Sequence, residues 1–120
     1  MKVHVVAKEI AQGMGIGKGI IKGIVRVISS PGDFVDIKPG EVIVIKEADI
    51  DRIEEIKKAS AILSEESGLT SFSAIIGREI GIPVIVGLKD ATRKFRDGMN
   101  VTIDTTSGLV YEGMINLPGD

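Results

Sequence analysis

Hydroxyl, carboxylate and imidazole groups are the residue types in this chain that could do chemistry, and the first two converge on one stretch. Thr70 and Ser71 stand just before the apolar run Ala74-Ile75-Ile76. Either hydroxyl oxygen can therefore accept from the free N–H groups of a first helical turn. A helix N-terminus also favours anions through its unpaired donors and its dipole. Glu65 and Glu66 precede it. Adjacent residues of an extended chain point to opposite faces, so these two do not form the paired carboxylates of a glycosidase, although one can line the loop. The imidazole is His4, the sole histidine. Without a carboxylate or second histidine at ligand spacing it makes a poor metal site, and a solvent-facing strand residue is the better reading.

Gln12 to Gly23 reads Gln-Gly-Met-Gly-Ile-Gly-Lys-Gly-Ile-Ile-Lys-Gly, which invites comparison with phosphate-binding loops. The spacing defeats it. A P-loop needs Gly, four residues, then Gly-Lys-[Ser/Thr], but the first Gly position required by Gly17-Lys18 holds Gln12, and Gly19 follows Lys18. A dinucleotide fingerprint fails as well, because Lys18 stands where the third glycine belongs. An irregular entry into a strand, where backbones pass closely, accounts for these glycines.

The elements that must position the hydroxyls follow from local signals. A helix is expected from near Thr70, ending at Gly81, which can take the left-handed conformation. Pro83 cannot continue it, and Val84 to Val86 is a short β-branched strand bounded by Gly87. Upstream, Met1 to Ile10 alternates weakly, as a strand or a tail, and Ile24 to Ile28 is strand-like. Ser29-Ser30-Pro31-Gly32-Asp33 and Lys38-Pro39-Gly40-Glu41 are turns. Val42 to Ile45 is a continuous apolar run, which indicates a central strand buried on both faces. Asp49 to Ala59 is read as a surface helix with Ile50, Ile53 and Ile56 as its buried stripe and Glu54 four residues before Lys58. Ala61 to Leu63 is a short strand. Asp90 to Phe95 is a helical turn capped by Asp90, Asp97-Gly98 is a turn, Val101 to Ile103 and Leu109 to Tyr111 form a hairpin, and Leu117 to Asp120 is a tail.

Strands alternating with helices indicate an α/β fold with a partly parallel sheet, and the closing hairpin requires a second, antiparallel layer. At 120 residues the chain is expected to be one domain. The net charge is −2, and three Phe and one Tyr are the only aromatic side chains. That leaves neither the basic footprint nor the stacking surface of a nucleic-acid binder. The absence of cysteine removes disulfides, thiolate metal sites and redox chemistry. No apolar run is long enough for a membrane span or a signal sequence, so the default compartment is the cytoplasm. No metal and no cofactor are implied.

The stretch from Gly68 to Pro83, Gly-Leu-Thr-Ser-Phe-Ser-Ala-Ile-Ile-Gly-Arg-Glu-Ile-Gly-Ile-Pro, resembles the signature of the phosphohistidine, or swivelling, mobile domain of phosphoenolpyruvate-utilising enzymes. The family pattern is Gly-Gly-[Leu/Met]-Thr-[Ser/Cys]-His-Ala-Ala-Ile-[Val/Ile]-[Ala/Gly]-Arg-Glu-[Leu/Ile]-Gly-Ile-Pro. The resemblance extends from about Gly15 to Gly113, with its specificity in Gly68 to Gly87. The run from Gly17 to Val27 resembles the carboxy-terminal extension of some bacterial pyruvate kinases. It implies a three-layer β/β/α swivelling fold with a partly parallel central sheet and a second antiparallel sheet. In the family a histidine takes a phosphoryl group at one active site and the domain swings to deliver it at another. That position falls on Phe72, which has no atom to take phosphate. Ser73 and Ser67 are milder departures.

What the motif leaves is an anion cradle without a nucleophile. Its phosphate-binding candidates are Gly68, Thr70, Ser71 and Arg78, with helix capping the weightier role for the two hydroxyls. Thr70 also aligns with a regulatory phosphorylation target of the dikinase branch. Three hypotheses follow. The first is a non-catalytic binding or regulatory module, with an ATP-grasp or phosphoenolpyruvate- or pyruvate-binding enzyme as partner and a phosphate-bearing small molecule as possible ligand. The second is a phosphotransfer component of a split enzyme using Ser71, Ser73, Thr70 or His4. The third is a purely structural domain. The motif was built to present position 72 to solvent, so at least partial exposure of Phe72 is expected.

Overall fold

The computed structural model describes residues 7–17 and 19–117. His4, Lys18 and the tail from Pro118 lie outside the described residues, with the expectations attached to them. The strands are β1 (Glu9–Gln12), β2 (Met14–Ile16), β3 (Ile20–Val27), β4 (Glu41–Ile45), β5 (Ala61–Ser64), β6 (Val84–Val86), β7 (Asn100–Asp104) and β8 (Leu109–Glu112). The α-helices are α1 (Ile53–Ile56), α2 (Phe72–Ile80) and α3 (Ala91–Lys94). The sheet order is β1-β8-β7-β3-β4-β5-β6-β2, with β3 to β6 parallel and the remaining pairings antiparallel.

The continuous apolar runs become the parallel strands, because a strand with helices on one face and strands on the other must be apolar on both. Ile43, Ile45, Ile62, Val84 and Val86 face Ile56, Ala74 and Ile76 beneath the helices. Their neighbours Val42, Val44, Leu63 and Ile85 cluster with Val101, Ile103 and Val110 of the antiparallel part. This is the β/β/α layering that the motif implied. The two β layers are continuous through β3, whose eight residues are long enough to serve both: Ile20 to Ile24 pair with β7, and Ile24 to Val27 pair with β4.

The sheet also curls until its edges meet. β1 and β2 stand at opposite ends of the strand order yet are separated by Gly13 alone. Flat, the edge strands would lie roughly 34 Å apart at about 4.8 Å per neighbour; one intervening residue spans only about 7 Å. Along this seam the Gly13 N–H donates to Gly108 O at 2.8 Å, and a Cβ on Gly15 would lie 1.7 Å from Thr105 O. The glycine-rich entry is thus a close backbone approach, as its spacing suggested.

Two helical expectations change. The segment from Asp49 to Ala59 is a 3-10 turn (Ile50–Arg52) followed by the single turn of α1. The Asp49 carboxylate accepts from Asp51 N, a local bond that competes with regular helix and tightens the entry. Ile56 is fully buried and Ile53 packs partly, but Ile50 is 61% exposed and belongs to no buried stripe. Glu54 pairs with Lys57, and Arg52 with Glu55, in place of the expected Glu54–Lys58 pair. Asp90 precedes α3 but does not cap it with its side chain. Its backbone is left-handed, at φ 59°, and its carboxylate pairs with Arg93. The cap comes from Glu65, which accepts from Thr92 N and Thr92 Oγ1. Among the described residues no helix is long and apolar enough to cross a membrane.

Candidate functional site

The motif folds as one local unit at the carboxyl end of β5. Ser71 is extended, at φ −63° and ψ 156°, and its hydroxyl accepts from Ala74 N at 3.3 Å, which sets the start of α2 at Phe72. Gly81 ends the helix at φ 75°, its N–H reaching Gly77 O. The helix buries Ser73, Ala74, Ile76 and Gly77 and turns Phe72 and Ile75 outward.

Glu66 organises the helix start. One carboxylate oxygen accepts from Phe72 N at 2.8 Å and, at 3.4 Å, from Ser73 N; the other accepts from Ala48 N and from the Ser73 hydroxyl, both at 2.6 Å. A single hydroxyl proton cannot serve two acceptors. With the Ser73 proton on Glu66, the Ser64 hydroxyl donates to Ser73 Oγ across 2.8 Å and accepts from Glu66 N. The ring closes on itself. The helix N-terminus therefore already holds an anion, supplied by the chain's own carboxylate.

This arrangement places each candidate. Phe72, Ser73 and Ala74 N–H are engaged by Glu66 and Ser71, so a phosphate at the helix start would compete with Glu66 for main-chain donors. Gly68 and Thr70 are exposed in the loop, Gly68 at φ 89°. Arg78 folds back, donating from Nη1 to Leu69 O at 2.8 Å, and so fastens the loop to the helix. Ser73 is fully buried and out of reach of any phosphoryl donor. Glu66 lines the loop, as one of the two acids was expected to, whereas Glu65 leaves for α3. The central position of Glu66 was missed. A glutamate six residues before a helix is no capping box, and three of its four donors are unmarked backbone N–H groups.

Phe72 is 57% exposed, so its ring stands in solvent as expected. With Glu47, Ala48, Asp49 and Ile50 it lines a shallow cavity of about 300 Å³. Leu69 and Ile75, three residues to either side, are also exposed. The site thus offers an apolar shelf edged by the carboxylates of Glu47 and Asp49.

Comparison with known proteins agrees with this geometry. The family described as "PEP-utilising enzyme, mobile domain" matches residues 37–108, more than half of the chain. Pyruvate kinase 2 of Synechocystis sp. is 44% identical over 115 residues, which is 96% of this chain and 20% of that protein. Phosphoenolpyruvate synthase of Pyrococcus furiosus is 42% identical over 109 residues, 91% of this chain and 13% of the synthase. The chain thus spans a fifth or less of these relatives' own length. Among solved structures, an Enzyme I (nEIt) protein aligns with a TM-score of 0.54 at 25% identity, over 64% of this chain and 32% of that one. Aconitase X of Thermococcus kodakaraensis aligns at 0.61 and 22% identity, over 87% of this chain and 98% of that one, a likeness of fold alone. Motif, layering and sequence identity together place this chain in the mobile-domain family of phosphoenolpyruvate-utilising enzymes.

Proposed function

We propose that this chain is a non-catalytic binding or regulatory module of the mobile-domain family, in which Phe72 occupies the phosphoryl-accepting position and serves as a contact. The exposure of that ring at the first residue of α2 carries the reading. An exposed phenyl ring beside Ile50, Leu69 and Ile75 can bury apolar surface against another protein. The partner is a phosphoenolpyruvate- or pyruvate-binding enzyme, with an ATP-grasp enzyme as the alternative, in the cytoplasm. Any phosphate-bearing ligand at Gly68, Thr70, Ser71 and Arg78 is held chiefly by the Thr70 hydroxyl and the rest of the Arg78 guanidinium, since the helix N–H groups serve Glu66.

Incubation with phosphoenolpyruvate labelled in its phosphoryl group and a phosphoenolpyruvate synthase should leave the chain unlabelled, as measured by autoradiography and peptide mapping. Label within residues 70–73 would overturn the reading and favour a split phosphotransfer system. Phe72→His should move the thermal midpoint by less than about 4 °C, as expected for an exposed position. A loss on the order of 1.5–3 kcal/mol would mean that the ring is packed and not a contact.

A further inference from the structure

A second cavity, of about 420 Å³, opens where the chain leaves the carboxyl ends of β3 and β4, and it shares no residue with the Phe72 shelf. Its apolar side is Ile28, Pro31 and Phe34. Ile28 and Phe34 are themselves buried, so this floor exists before any ligand arrives. The 3-10 turn that carries Pro31 and Phe34 is pinned by Asp33, whose carboxylate accepts from Ser29 N and Ser30 N. The Arg52 guanidinium lies 5.9 Å from the centre of the Phe34 ring and steadies it further.

The charged side chains that line the cavity are Lys46 and Arg93. The Lys46 ammonium has neither ion pair nor hydrogen bond among the described residues, and Arg93 is oriented by Asp90 at 3.0 Å. The Ser29 hydroxyl has no partner among the described residues. Of the acids nearby, Asp90 is paired with Arg93, while Glu65 and Asp33 accept from the neutral donors of Thr92, Ser29 and Ser30 and keep their charge; none of the three lines the cavity. Lys46 and Arg93 thus stand over a preformed apolar floor, and Lys46 is the one without a counter-ion among the described residues. The size falls in the range of small-molecule sites, in which an apolar lining carries a few converging polar groups.

We propose that this cavity binds a small anionic molecule with a flat apolar body, a phosphate monoester or a carboxylate. The anion sits between Lys46, Arg93 and the Ser29 hydroxyl, and the body lies on Ile28, Pro31 and Phe34. Phenyl phosphate is the probe, followed by backbone amide shifts of the full chain, with inorganic phosphate and phenol as the separated halves. Phenyl phosphate should give saturable shifts at Ser29, Ser30, Phe34, Lys46, Thr92 and Arg93, and each half alone should bind at least roughly tenfold more weakly. Lys46→Ala and Lys46→Gln should each weaken binding by about tenfold with an unchanged unfolding midpoint, whereas Lys57→Ala, outside the cavity, should have no effect. The proposal is overturned if these residues do not saturate, if inorganic phosphate binds as tightly as phenyl phosphate, or if the Lys46 variants bind like the parent.

Discussion

Glu66→Ala is expected to destabilise the protein by about 1–4 kcal/mol, which lowers the thermal midpoint on the order of 10 °C. The carboxylate receives four donors, and one of them, Ala48 N, is left without a partner in a buried residue once it is gone. Ala48 is buried, so Ala48 N would become an orphan at about 1–3 kcal/mol, less what relaxation recovers, whereas the buried Ser73 hydroxyl can turn its proton to Ser64 Oγ at 2.8 Å. Phe72 N can turn to solvent and contributes less. Removal of the charge at the start of α2 adds roughly 0.3–1 kcal/mol. The comparison is Glu47→Ala, an exposed acid of the same neighbourhood with no bond to lose, which should stay within about 0.5 kcal/mol of the parent. Urea unfolding of both variants decides the matter. If Glu66→Ala is as mild as Glu47→Ala, the internal carboxylate is not what holds the helix start.

Gly15→Ala should cost still more, about 3 kcal/mol or above, because the methyl group has nowhere to go. Its Cβ would stand 1.7 Å from Thr105 O and 2.6 Å from Thr105 C, both main-chain atoms that no rotamer change can move. Relief requires β2 to leave β6, where Gly15 pairs with Ile85, or the turn after β7 to lift away from the seam. Gly32→Ala is the contrasting change: nothing lies within 4 Å of its added carbon, so it should be neutral or stabilise by about 0.4–1 kcal/mol through the unfolded chain. Denaturant midpoints, or the loss of soluble folded protein for the first variant alone, test the closed sheet. Equal stability of the two variants would contradict the seam.

Legibility in the sequence followed distance along the chain. The unit from Ser71 to Val86 was readable because cap, helix, left-handed stop, proline and strand each depend on neighbours within a few residues. The central strands were readable because burial on both faces demands unbroken apolar runs. The family signature and the exposure of Phe72 came from the same continuous stretch. The helix expected from Asp49 failed at its first residues, where the short-range Asp49 to Asp51 bond outweighed a sparse apolar stripe.

The sequence by itself therefore determined the layer order, the helix that presents Phe72, and the kinship with mobile domains. Only the tertiary structure decided where the charges went. Glu65 caps α3, 27 residues on, and Glu66 joins the start of α2 to Ala48, 18 residues back, so the anion cradle is filled from within. It likewise decided that β1 and β2 close the sheet around Gly13 and Gly15. The physical reason is common to all three. Most of the partners are backbone N–H and C=O groups, which every residue carries alike, so no side-chain pattern announces them until the fold has brought distant segments together.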